Sequence, residues 1–168
     1  MSKMKSKIMS ASLVGALLPI LAGGLLIACN KKEEKKAEPV PQSSAAAPII
    51  VTANDQMQFS TKAIEVKAGS EAVIILQNIG TMAKEVMGHN LTVLNPGTDL
   101  AGFATKAMAA KDTEYLPQSE TGSVFAHTKL LGPGESDTLR FTPAVGEYPF
   151  LCTFPGHFAV MQGVLSAK

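Results

Sequence analysis

From Ile49 to Lys168 the sequence reads as an all-β domain, a sandwich of seven or eight short antiparallel strands with one helix flanking it at about residues 98–112. Three features point there. β-type runs recur between Gly, Pro and Asn turn signals, some alternate apolar with polar residues, and one segment alone breaks the two-residue period.

The elements follow in order. Gln58 to Val66 (QFSTKAIEV) ends at Ala68-Gly69, Ala72 to Leu76 is AVIIL, and Asn90 to Leu94 is NLTVL before Asn95-Pro96-Gly97. Thr98 to Asp112 then carries Leu100, Phe103, Ala104, Ala107 and Met108 at i, i+3, i+4, i+7 and i+8, one apolar stripe of a helix. Thr98 suits its N-cap, with Asp99 in the first turn. Ser123 to Leu131 is a strand before Gly132-Pro133-Gly134, and Asp137 to Thr142 puts Leu139 and Phe141 on one face. Glu147 to Thr153 does the same with Tyr148, Phe150 and Cys152, and Gly163 to Ser166 closes the chain.

Residues 1–28 read as a targeting segment. Lys3, Lys5 and Lys7 precede an apolar run from Ala11 to Ile27, which meets charge at once and so suits a cleaved secretory peptide better than a permanent span. The junction Leu26-Ile27-Ala28-Cys29 resembles the lipobox of bacterial lipoproteins, which implies that Cys29 is acylated and becomes the first mature residue. Asn30 in place of aspartate then implies the outer membrane of a Gram-negative envelope, with the domain on the periplasmic side. Residues 29–48 continue as charged, Pro- and Ala-rich chain, too poor in apolar surface to offset its ordering entropy, and read as a tether.

Charge excludes one class of partner. The whole chain is +1 by formal count, and the stretch from Ile49 onward is mildly acidic, whereas nucleic-acid binding needs a basic excess. The chain has 2 cysteines, so with Cys29 lipidated Cys152 has no disulfide partner. An exported lone thiol needs protection from oxidation, and metal coordination provides it.

The segment Cys152-Thr-Phe-Pro-Gly-His157-Phe-Ala-Val-Met161 supplies a thiol, an imidazole and a thioether, and Pro155-Gly156 turns the chain so that His157 returns toward Cys152. A second imidazole lies upstream at Met87-Gly88-His89-Asn90, where Gly88 permits close backbone approach. A thiolate and two imidazoles with a weak thioether contact suit blue copper. The same His₂Cys set also suits zinc, with a water or carboxylate as fourth ligand.

Met87-Gly-His-Asn90, with Cys152-Thr-Phe-Pro-Gly-His157 and Met161, closely resembles the azurin family of bacterial blue-copper proteins. Asn54-Asp-Gln-Met-Gln-Phe59, Ala126-His-Thr-Lys-Leu130 and Gly134-Glu-Ser-Asp137 extend the likeness over nearly all of Ile49 to Lys168. The resemblance implies a cupredoxin-like Greek-key sandwich or barrel holding one copper ion. It implies Cys152, His89 and His157 as strong equatorial ligands, with Met161 sulfur and the Gly88 carbonyl as weak axial contacts. It also implies backbone N–H groups of Asn90 and Phe154 donating to the cysteine sulfur. The chain departs from the family in lacking the usual disulfide, in having Leu91 where a Trp commonly stands, and in having Asn78 where some members carry a histidine. His127 matches a surface histidine and takes no role.

The function that follows is single-electron transfer with no substrate transformed. Lys84 to Met87 and Phe154 to Val160 are expected to flank the solvent-facing edge of His157, with Met87, Pro155, Phe158 and Ala159 as an apolar docking rim. Redox proteins such as c-type cytochromes, nitrite or nitrous oxide reductases, terminal oxidases or peroxidases fit as partners. A surface lipoprotein that sequesters copper is the alternative.

Overall fold

The computed structural model describes residues 47–168. The expected signal peptide, Cys29 and all but the end of the tether lie outside the described residues. Among the described residues nine strands form two sheets. The first has the order β2-β1-β4-β7, from β1 (Ile49–Asn54), β2 (Gln58–Phe59), β4 (Ala72–Asn78) and β7 (Ser136–Phe141). The second has the order β3-β9-β8-β5-β6, from β3 (Ala63–Val66), β5 (Thr92–Leu94), β6 (Val124–His127), β8 (Gly146–Leu151) and β9 (Gln162–Ala167).

The all-β expectation holds, with corrections in detail. The count exceeds seven or eight because Ile49–Asn54 is a strand and because Gln58 to Val66 divides between the sheets as β2 and β3. Met57, with a φ of 55°, turns the chain between β1 and β2. The sandwich is not wholly antiparallel, since β1 pairs with β4 and β3 with β9 in parallel. Alternation reports which face a residue takes and is blind to the direction of the neighbouring strand.

The flanking helix also ends early. α2 (Leu100–Met108) gives way to a separate 3₁₀ turn at Lys111–Thr113, and Met108 is 41 % exposed because the helix stops there. Asp99 occupies the N-cap position without a side-chain cap bond, while the Thr98 hydroxyl donates to the Asn95 carbonyl at 2.8 Å, so Thr98 is not the cap. One helical turn went unforeseen, α1 (Lys84–Met87). α2 buries Phe103, Ala104 and Ala107 against Leu94 and Leu151.

Between the sheets, Val51, Ala53, Ile74 and Leu76 meet Leu91, Val93, Phe150 and Leu165 in one apolar core. Tyr148, Phe150 and Cys152 point into it from one face of β8 and its continuation, as their spacing requires. Phe150 closes edge-on against Phe59, with ring centroids 5.8 Å apart. It lies so close to β9 that a Cβ on Gly163 would stand 2.4 Å from its ring. A core phenylalanine of this kind stabilises the fold by about 3–5 kcal/mol relative to alanine. That core carries the end of β8, and with it the thiol.

Candidate metal centre

Cys152 follows the last residue of β8 and is fully buried. The chain then reverses at Gly156, whose φ of 83° favours a residue without a side chain, and enters a short 3₁₀ turn, His157–Ala159. Three backbone bonds close the loop on itself: His157 N–H to the Phe154 carbonyl at 3.0 Å, Met161 N–H to the His157 carbonyl at 2.8 Å, and Cys152 N–H to the Met161 carbonyl at 2.9 Å. Met161 is thereby buried in the same loop as both ligand candidates.

His89 arrives from elsewhere. α1 ends in an extended Gly88, where any Cβ would stand 2.6 Å from the Lys84 carbonyl oxygen and 3.1 Å from the Leu130 side chain. His89 then exchanges two backbone bonds with Leu131, at 3.1 and 2.8 Å. Asn78, 2 % exposed, donates its amide to the Leu131 carbonyl at 3.2 Å and accepts from the Gly80 N–H at 2.9 Å, so this substituted position buttresses the His89 segment.

The three candidate donors converge. Cys152 Sγ lies 3.5 Å from His157 Nδ1 and 4.0 Å from His89 Nδ1, and the two imidazole centroids are 5.0 Å apart. All three donor atoms fall within 4.8 Å of one another. One small cation spans such a group with bonds of about 2.0–2.3 Å.

Electrostatics set the protonation of the metal-free site. Burial pushes the Cys152 thiol up to about 11, against the opposing pull of backbone N–H groups of Asn90 and Phe154 directed at the sulfur. Burial, with the nearby His89, pushes His157 down to about 4. His89 is lowered by burial as well, although the Asn54 carbonyl and the Asp55 carboxylate favour its proton. The Asn54 contact falls short of an ordinary hydrogen bond, and His89 Nε2 is one of two buried side-chain polar atoms, with Thr92 Oγ1, left without a partner among the described residues. Two neutral imidazoles therefore present lone pairs beside a shielded sulfur, and this donor set fits a soft or borderline metal.

Asn90 does more than offer its N–H. Its side chain accepts from the Thr153 N–H at 2.8 Å and donates to the Thr153 hydroxyl at 2.6 Å, tying the His89 segment to the Cys152 loop. Sequence reasoning missed Thr153, though it lies inside the motif as the residue after the cysteine. The expected solvent-facing edge of His157 needs correction, because the ring is only 2 % exposed and Phe154 covers it at a centroid distance of 4.7 Å. Of the expected rim, Met87, Pro155 and Phe158 are half-buried and Ala159 is exposed. His127 lies outside the donor group, its Nδ1 3.1 Å from the Thr128 carbonyl oxygen.

Known proteins match this architecture. The family model described as copper binding proteins, plastocyanin/azurin family, covers residues 46–168. An outer membrane protein H.8 of Neisseria meningitidis serogroup B is 47 % identical over 117 residues, 67 % of this chain, and the chain spans only 63 % of that protein's length. An azurin of Pseudomonas fluorescens biotype C is 42 % identical over 130 residues, covering 74 % of this chain and all of the azurin. The solved structure of an azurin from Methylomonas sp. strain J superposes with a TM-score of 0.66 at 30 % identity, covering 74 % of this chain and 99 % of that one.

Proposed function

Since the chain belongs to the plastocyanin/azurin family of copper-binding proteins, we propose that it is a single-electron carrier of the bacterial cell envelope. It is a blue-copper protein with an all-β cupredoxin fold, and copper is its metal. Bound copper supplies one-electron exchange between two oxidation states that both accept imidazole and thiolate.

The chain's own residues do the rest. Cys152, His89 and His157 would hold the ion, with the Met161 thioether and the Gly88 carbonyl as weaker contacts. The Asn90 and Phe154 N–H groups aimed at Sγ stabilise negative charge on sulfur and so favour the reduced state. Because backbone bonds and buried packing fix the loop before metal arrives, little has to move when charge changes. Burial excludes water from the donors.

The convergence of one buried thiol and two neutral imidazoles carries this reading. Met87, Pro155, Phe158 and Ala159 are the residues assigned to a docking rim, and Met82, Val86 and Val160 are further exposed apolar side chains on the same two segments or next to them in sequence. Such a rim suits brief encounters with redox proteins, c-type cytochromes or reductases among them. The Cys29 lipobox and the outer-membrane name of the H.8 relative support anchorage to the outer membrane. Among the described residues no helix is long and apolar enough to cross a membrane.

Adding Cu(II) to the metal-free protein tests the proposal. An intense blue thiolate-to-copper absorption and reversible one-electron reduction are expected. A colourless complex, or a blue one that no redox protein reduces, would favour copper sequestration.

A further inference from the structure

One carboxylate beside the site has no part in that account. Glu114 Oε1 accepts from Lys84 Nζ at 2.8 Å, and its Oε2 accepts from the Leu130 N–H at 3.1 Å. Lys84 opens the helical turn that delivers Gly88 and His89, while Leu130 abuts Gly88 and precedes the Leu131 that pairs with His89. Glu114 and Tyr115 are consecutive residues with φ of 53° and 63°. Side-chain-bearing residues hold that conformation against a steric penalty, so surrounding contacts must over-determine it. Its effect is to present the Glu114 carboxylate to Lys84 and Leu130 while the next ring, Tyr115, packs edge-on against Phe154 at 5.1 Å. Phe154 in turn lies 4.7 Å from His157.

We propose that Glu114 is a positioning residue, bracing the His89 segment through Lys84 and Leu130, next to Tyr115, which packs on Phe154 of the His157 loop. Its bearing on copper rests on the blue-copper reading, whereas the brace itself exists without metal. The ion pair alone adds little, since both side chains are partly exposed at 35 % and 45 %. The second, charge-assisted bond to Leu130 makes the carboxylate a bridge between segments, and bridging is what fixes a ligand's position.

The test uses the full chain, free of copper, as wild type, Glu114→Ala, Lys84→Met and Glu65→Gln, the last removing a separate exposed ion pair with Lys168. Amide hydrogen exchange is read at His89 and Leu131, with Ile74 in the opposite sheet as reference, and thiol labelling is located at Cys152 by mass spectrometry. Glu114→Ala is expected to speed exchange at His89 and Leu131 by about tenfold, the scale of one charge-assisted hydrogen bond. Cys152 labelling should quicken too, with Ile74 unchanged and Glu65→Gln like wild type. Lys84→Met, which cuts the brace at its other end, reads the same equilibrium if Glu114→Ala fails to fold. Exchange within twofold of wild type at His89 and Leu131, or equal acceleration at Ile74, overturns the brace. After copper loading, the charge-transfer band of Glu114→Ala should shift. A wild type without that band would defeat the blue-copper reading and leave the exchange result standing.

Discussion

Cys152, His157 and Met161 come from one short loop, whereas His89 stands 63 residues before Cys152, and the two halves of the site are built in different ways. The loop closes on itself through three backbone bonds within its own span. His89 has no such local frame. It is held by Leu131 across an isolated bridge, by Asn78 behind Leu131, and by the Asn90–Thr153 pair that reaches over to the loop. A self-closed loop is sensitive mainly to its own residues, and a borrowed position is sensitive to several distant ones.

The largest effect should come from the loop's sulfur. Cys152→Ser replaces a thiolate with a hydroxyl that does not ionise at neutral pH, so the blue absorption should vanish on titration with Cu(II). A surviving blue band would place the colour elsewhere and end the comparison. On the other side, Gly88→Ala puts a methyl 2.6 Å from the Lys84 carbonyl oxygen, a backbone atom that cannot swing aside. The His89 segment must shift, which should weaken copper binding by about 10–100-fold, the range for losing a ligand's supporting contacts. Competition against a chelator would measure it, and an unchanged affinity would mean that the borrowed half is softer than its packing implies.

The same division explains what could be read in advance. The loop was legible because its information is local: Pro155-Gly156 states a turn, and a strand before it sets the side on which Cys152 points. Met87-Gly88-His89-Asn90 was legible as a motif, while the supports behind it were not, since Leu131, Asn78 and Thr153 carry no periodic or compositional sign of whom they will meet. Strand direction failed for a similar reason. Ile49–Asn54 alternates no differently for pairing in parallel with β4 than it would for pairing antiparallel, so the parallel pair was invisible. The α2 stripe read correctly as far as Ala107 and failed at Met108, where the chain leaves the helix although the apolar pattern continues.

Protons sharpen the comparison because the two halves differ in what they must lose. At neutral pH both imidazoles are ready as neutral donors, but the thiol, raised to about 11, is protonated. Copper uptake near pH 7 should therefore release one proton per ion, and apparent affinity should rise about tenfold per pH unit across the neutral range. For the metal-free fold the signs run opposite ways. His157 is depressed from 6.5 to about 4, so the unfolded chain binds the extra proton between those values and stability falls as pH drops through that window. Cys152 is raised from 9.0 to about 11, so the unfolded chain ionises first and stability falls as pH climbs through that window. Denaturant midpoints of the metal-free protein should plateau between the two. A midpoint still climbing above pH 9 would show that the thiol is less shielded than its burial implies.

The smallest effect should follow from Met161→Leu. Leucine nearly conserves the volume of methionine, so in this buried position the cost to folding should stay below about 1.5 kcal/mol. The backbone bonds from Met161 to Cys152 and His157 do not involve the side chain, and they keep the loop closed in the variant. Only the thioether is lost, and the weak contact proposed for it would govern how the two oxidation states compare more than whether copper binds. The variant should stay blue, hold copper and change its reduction potential, all readable by voltammetry alongside the visible spectrum. Loss of copper would make Met161 a strong ligand, and the loop would then bind as a three-donor unit with His89 as the accessory.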